Sequence, residues 1–178
     1  CPHCFNTLMT EYPQLGGNYE VVHHSQFLEW LIDQGKLDLT EAKLEERVVY
    51  HDSCSLGRHN DVYMAPRNVI GNLAGIEIVE ASANGTKGMC CGAGGARMGM
   101  EETIGTKVTD ARSEQLVSTG AERVATACPF CYIMIDDGVK GLGKGDDVQV
   151  ADIAMHLLEA LEAGESKGVG GVLETLED

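Results

Sequence analysis

The chain has 178 residues, 43% of them hydrophobic, and sets 13 lysines and arginines against 28 acidic side chains for a formal net charge of −15. That length supports one compact core and part of another, and so acidic a surface excludes a nucleic-acid binder, whose phosphate partner needs a basic face. No apolar run approaches the length of a membrane span and no charged-then-apolar stretch opens the sequence, so a cytoplasmic chain is expected, peripheral to a membrane at most through a partner or missing segments.

In chain order, the first 35 residues read as a helix opened by Cys1-Pro2-His3-Cys4, a glycine-bearing loop, a short strand near Val21, and an amphipathic helix capped by Ser25. Phe27, Leu28, Leu31 and Ile32 fall at helical spacing and read as core. Residues 36–44 read as a linker. Arg47 to His51 predicts a strand ending at Asp52-Ser53-Cys54, and a helix follows from Pro66, a favoured first helical position, to about Ala74. Gly75 stops it, and Ile76 to Glu80 is the second strand. A long helix is expected from about Gly99 to Ser118, a third strand from Arg123 to Ala127, and a helix from Cys131 to between Gly138 and Gly141. Val148 to Val150 reads as a fourth strand. Asp152 then caps a helix carrying Ile153, Leu157, Leu158 and Leu161. Residues 163–178 are rich in glycine and glutamate and read as a flexible tail. Strands separated by helices imply an α/β fold with a short, mostly parallel sheet.

All seven cysteines sit in Cys-x-x-Cys or Cys-Cys settings, and clusters of this kind read as metal-binding before they read as disulfides. Five form one pattern. Thirty-five residues separate Cys54 from the pair Cys90-Cys91, and thirty-six separate the pair from Cys128-Pro129-Phe130-Cys131. Each group follows a different predicted strand, and ligand sites of open α/β sheets form at the carboxyl ends of the strands. Gly92, Gly94 and Gly95 let the backbone turn its N–H groups toward sulfur. Cys131 opens a helix, whose positive end lowers a thiol's pKa. Arg58 and Arg97 are candidates to offset thiolate charge, or are plain surface arginines. His23 and His24 read as cap-region groups that could also face a cluster, and His3 as a hydrogen-bond donor behind the thiols or an exposed side chain. Asp52 beside His51 reads as a turn residue rather than an acid–base pair.

The chain also repeats itself. Moved forward by 127 positions, residues 1–35 align without a gap: Cys1 on Cys128, Pro2 on Pro129, Cys4 on Cys131 and Leu31 on Leu158. Residues 1–35 therefore read as the C-terminal remnant of a first unit, and 45–162 as a complete second one. On this reading the missing N-terminal part of the same chain holds the partners of Cys1 and Cys4.

The compound motif Cys54-x35-Cys90-Cys91-Gly92-x35-Cys128-x2-Cys131 resembles the cysteine-rich CCG domain of heterodisulfide reductase and of related iron–sulfur oxidoreductase components. The resemblance implies a Rossmann-like domain with the cluster at the C-terminal edge of its strands. It implies a noncubane [4Fe–4S] cluster held by Cys54, Cys90, Cys91, Cys128 and Cys131, with Cys1 and Cys4 as two ligands of a second cluster. It further implies electron transfer with a flavoprotein, a ferredoxin-like domain, a quinone or a disulfide-type substrate, and a fragment inactive alone. Structural zinc is the alternative; four thiolates close a zinc site, and five are on offer here.

Overall fold

The computed structural model describes residues 1–165. Two helices come first, α1 (Pro2–Thr10) and α2 (His24–Asp33). They precede a unit in which β1 (Arg47–Tyr50), β2 (Glu77–Val79), β3 (Arg123–Thr126) and β4 (Gln149–Asp152) alternate with helices α3 (Gly57–Asn60), α4 (Met64–Gly71), α5 (Val108–Val117), α6 (Pro129–Gly141) and α7 (Ile153–Glu165). The four strands form one all-parallel sheet in the order β2-β1-β3-β4. Short apolar runs such as Val48-Val49-Tyr50 and Val124-Ala125 are buried on both faces, as parallel strands under helices must be.

Alternation along the strands divides the interior in two. Val48, Tyr50, Ala125 and Ala127 point to the face covered by Val69 and Ile70 of α4, by Ile153 and Leu157 of α7, and by Phe5 of α1. Val49, Val124 and Val150 point to the other face, where Leu116 of α5 and Ile135 and Val139 of α6 cover them. That second cluster also contains Cys91, Cys128 and Cys131, so the thiols grow out of a dry core. Ala42 and Leu44 are buried in the first cluster, tied in by a bridge from Lys43 to Ala74.

Several expected boundaries move. The helix expected from Gly99 is shorter: α5 starts at Val108, and Gly94–Gly99 is an irregular 3-10 turn with positive φ at Gly95 and Ala96. The intervening Thr103-Ile104-Gly105-Thr106 puts β-branched residues around a glycine at φ +72, a poor helical run. Helix α4 begins two residues before Pro66 and ends at Gly71. No strand forms near Val21, because no neighbouring strand is there to pair with it. The α2 cap is His23, not Ser25: the His23 side chain accepts from the Ser25 N–H, and Gln26 accepts from the His23 N–H at 3.0 Å. Phe27 is not core; it is exposed and stacks on Trp30, while Leu28 and Ile32 pack inward. Asp152 does cap α7, accepting from the Ala154 N–H at 3.0 Å. The expected tail beyond Glu165 lies outside the described residues.

Candidate metal centre

Because the strands are parallel, their C-terminal ends share one edge, and β1 and β3 lie side by side there. The chain leaves β1 for β2 on one side, then crosses back to β3 on the other, which makes the β1–β3 gap the switch point where ligands bind in such sheets. Cys54 follows β1, Cys90 and Cys91 follow β2, and Cys128 and Cys131 follow β3. The structure brings all five together. Each thiol interacts with the next: Cys54 with Cys90, Cys90 with Cys91, Cys91 with Cys131, and Cys131 with Cys128. Cys1 and Cys4 are exposed, with Cys1 Sγ 3.9 Å from His3 Nδ1.

The two Cys-Pro-x-Cys segments nevertheless meet. His3 stands edge-on to Phe130, its counterpart in the repeat, with ring centroids 5.3 Å apart. Pro2 and Pro129 each open their helix. His24 pairs with Asp152 at 3.0 Å, joining the start of α2 to the start of α7, and His23 serves as a cap.

Electrostatics at the five thiols follow from who donates. Cys90 accepts from Cys54 and Cys91 and from the N–H groups of Gly92 (3.3 Å) and Gly94, which holds it far below the ordinary thiol range. Cys54, its donor, is pushed far up by that bond and by burial. Cys128 accepts from Cys131, and despite burial the N–H groups of Cys131 and Phe130 help bring it down to about 6. Cys91 accepts from Cys131 but donates to Cys90 and is buried, and it ends near 11. Cys131 is raised, because it shares its proton between Cys128 and Cys91 in a buried place. The helix start thus favours Cys128, the N-cap, and not Cys131 as the sequence suggested. Full ionisation of the set would crowd like charges together and requires a bound cation.

The glycine loop is fitted to this task. Gly92 has φ +97, and a Cβ there would lie 2.4 Å from Thr109 Oγ1 and 3.0 Å from the Thr109 backbone nitrogen. Thr109 Oγ1 in turn donates to the Cys91 carbonyl at 2.9 Å. On the other side, buried Asp52 accepts both Nη groups of Arg67, at 2.7 and 2.9 Å, and the Gly85 N–H at 2.7 Å. Arg67 also grips Glu80. Asp52 thus joins the loop after β1 to the loop that delivers Cys90, a tie rather than an acid–base group.

Two groups stand beside the sulfurs: Arg112, which the sequence did not single out, and His51, noticed there only as the neighbour of Asp52. Arg112, fully buried on α5, donates from Nε to His51 Nδ1 at 3.0 Å and from Nη1 to Ala83 O at 2.8 Å and Gln115 Oε1 at 3.0 Å. Among the described residues it makes no ion pair, and its Nη2 has no partner. Burial disfavours its charge; Asp52 works against that, and Cys131 and Cys91 would add to it once ionised. A ring nitrogen of His51 lies within 4.8 Å of the Cys91 and Cys131 sulfurs, and among the described residues its buried Nε2 has no partner. Burial and Arg112 lower His51 to about 3, so the ring is neutral. Of the two expected arginines, Arg58 donates to Gly88 O, two residues before Cys90, and Arg97 pairs with Glu102. Only spacing hinted at Arg112, which lies four residues before buried Leu116 on the same helical face.

A cavity of about 650 Å³ opens along β4, lined by Tyr132, Asp152, Met155 and Leu158, but no cysteine lines it. Among the described residues no helix is long and apolar enough to cross a membrane.

The segment that carries the five thiols matches a known family: the cysteine-rich domain model, CCG, covers residues 48–136. The chain belongs to the CCG family. It is 44% identical over 169 residues to the EtfAB:quinone oxidoreductase of Syntrophomonas wolfei, covering 91% of this chain and 23% of that protein. It is 35% identical to one component of the dihydromethanophenazine:CoB–CoM heterodisulfide reductase of Methanosarcina acetivorans, covering 90% of this chain and 39% of that protein. A third relative, one component of the fumarate reductase (CoM/CoB) of Methanothermobacter marburgensis, is 33% identical, with 93% and 32% covered. This CCG chain therefore spans between about a quarter and two fifths of these curated relatives.

Proposed function

We propose that this CCG chain is the iron–sulfur part of an oxidoreductase, holding one noncubane [4Fe–4S] cluster on Cys54, Cys90, Cys91, Cys128 and Cys131. The observation that carries this reading is the contact set itself: five thiols from three strand ends, converging beside a buried arginine that among the described residues has no ion-pair partner. A buried cation of that kind is costly unless an anion answers it, and a thiolate cluster is such an anion. Five donors also exceed the four that close a zinc site. Orphaned Arg112 Nη2 and His51 Nε2 are further polar atoms that suit an anionic guest.

The cluster, when bound, supplies one-electron transfer. The chain's own residues do the rest. The N–H groups of Gly92 and Gly94 hold Cys90 ionised, and those of Cys131 and Phe130 do the same for Cys128. Ala81, Leu116, Val124 and Ile135 keep water from the inner side. Cys54 and Cys90 are half-exposed and form the side from which a partner would be approached. The relatives' names favour a flavoprotein, a quinone or a disulfide as the electron partner. Cys1 and Cys4, set against Phe130 through His3, would serve a second centre. The test is EPR of anaerobically purified protein during stepwise reduction and reoxidation by a quinone. A paramagnetic signal that appears and disappears reversibly supports the reading, and a protein silent in every state refutes it.

A further inference from the structure

We infer that His51 is not a metal ligand but a neutral N–H donor aimed at the thiol site, its proton fixed on Nε2 by Arg112. The inference rests on the cluster reading above and adds a sixth protein group to it.

A histidine with two cysteines inside 4.8 Å invites a different conclusion, that His51, Cys91 and Cys131 form a three-ligand metal site. The hydrogen bonds argue otherwise. Arginine has only donors, so the 3.0 Å contact from Arg112 Nε makes His51 Nδ1 the acceptor. A neutral imidazole that accepts at one nitrogen carries its proton on the other. Nδ1 is therefore filled by the arginine and Nε2 by hydrogen, and neither offers a lone pair to a metal.

The tautomer is held firmly. Arg112 cannot rotate away without abandoning Ala83 O and Gln115 Oε1, and the ring itself is fully buried at the end of β1, where the His51 N–H bonds Ala125 O at 2.9 Å. Nε2–H is thus a buried donor with no acceptor among the described residues, on a ring that has a nitrogen within 4.8 Å of the Cys91 and Cys131 sulfurs, which are strong acceptors once they are thiolates. Leaving such a donor unsatisfied is unfavourable, and a cluster sulfur satisfies it. Donors to sulfur stabilise the more negative, reduced form, so His51 raises the reduction potential. Arg112 acts through the ring as a positioning residue and adds its own charge.

The test uses protein with 15N-labelled histidine, purified without air. In the metal-free form, 15N NMR should show the His51 ring protonated at Nε2 and bare at Nδ1. In the cluster-loaded form, pulsed EPR should show a weak 15N coupling of hydrogen-bond size. That coupling should vanish in His51→Leu, whose midpoint potential should fall, while His51→Gln, with its amide donor, should fall less. A strong coupling typical of a coordinated nitrogen, a proton on Nδ1, or an unchanged potential in His51→Leu would overturn the inference. The two labelled wild-type measurements decide the matter even if the leucine variant fails to fold. Wild-type protein without iron would instead sink the cluster reading, and this inference with it.

Discussion

Gly92→Ala tests how closely the thiol loop is fitted to its neighbours. Two costs add. An alanine at φ +97 leaves the regions open to L-residues, a strain of about 1–2 kcal/mol by analogy with left-handed backbone. The new methyl would also lie 2.4 Å from Thr109 Oγ1 and 3.0 Å from the Thr109 nitrogen, and overpacking of that kind costs about 1–3 kcal/mol. The expected loss is therefore about 2–5 kcal/mol, a large part of a typical domain's stability. Urea denaturation of reduced, metal-free protein followed by circular dichroism measures it. Thr109→Ala alone gives up the 2.9 Å bond to the Cys91 carbonyl and should cost about 1 kcal/mol. The double variant should recover part of the glycine penalty, because the Oγ1 clash is gone while the contact with the backbone nitrogen stays. A Gly92→Ala protein within about 0.5 kcal/mol of wild type would refute the close-packing argument.

Other outcomes are expected elsewhere. Arg67→Met should cost about 3–5 kcal/mol in the same assay, since it strands the buried Asp52 carboxylate and unties the loops that carry Cys54 and Cys90. Glu159 is held below its ordinary 4.5 by hydrogen bonds from Arg123, so the unfolded state takes up its proton first on acidification. Its contribution is fully present above pH 4.5 and fades as the pH drops through the lower folded value. Glu159→Gln should therefore flatten the stability profile below pH 4.5, and an unchanged acid limb would contradict that assignment.

What could be read from the sequence follows from how local each signal was. Val48-Val49-Tyr50 and Val124-Ala125 announced strands as short apolar runs, and burial on both faces is what keeps those runs continuous. The thiol spacing then placed Cys54, Cys90 and Cys128 after three different strands, and the parallel topology gathered them on one edge. Signals that depended on partners were lost. Val21 lies where the repeat has a strand, but pairing needs a neighbour. Phe27 has core spacing, yet only one side of α2 meets α4 and α7, and Phe27 faces away from it with Trp30. Arg112 looked like any surface charge on a helix, and His51 like a strand-end residue. Their pairing depends on α5 folding over the end of β1, a contact across 61 positions of sequence that no local pattern encodes.

The account stands most directly on the metal content of protein isolated without air. It predicts iron with a matching amount of acid-labile sulfide, lost or greatly reduced in Cys91→Ser and retained in Cys4→Ser. Stoichiometric zinc without iron, or an iron content unchanged by the loss of Cys91, would contradict it.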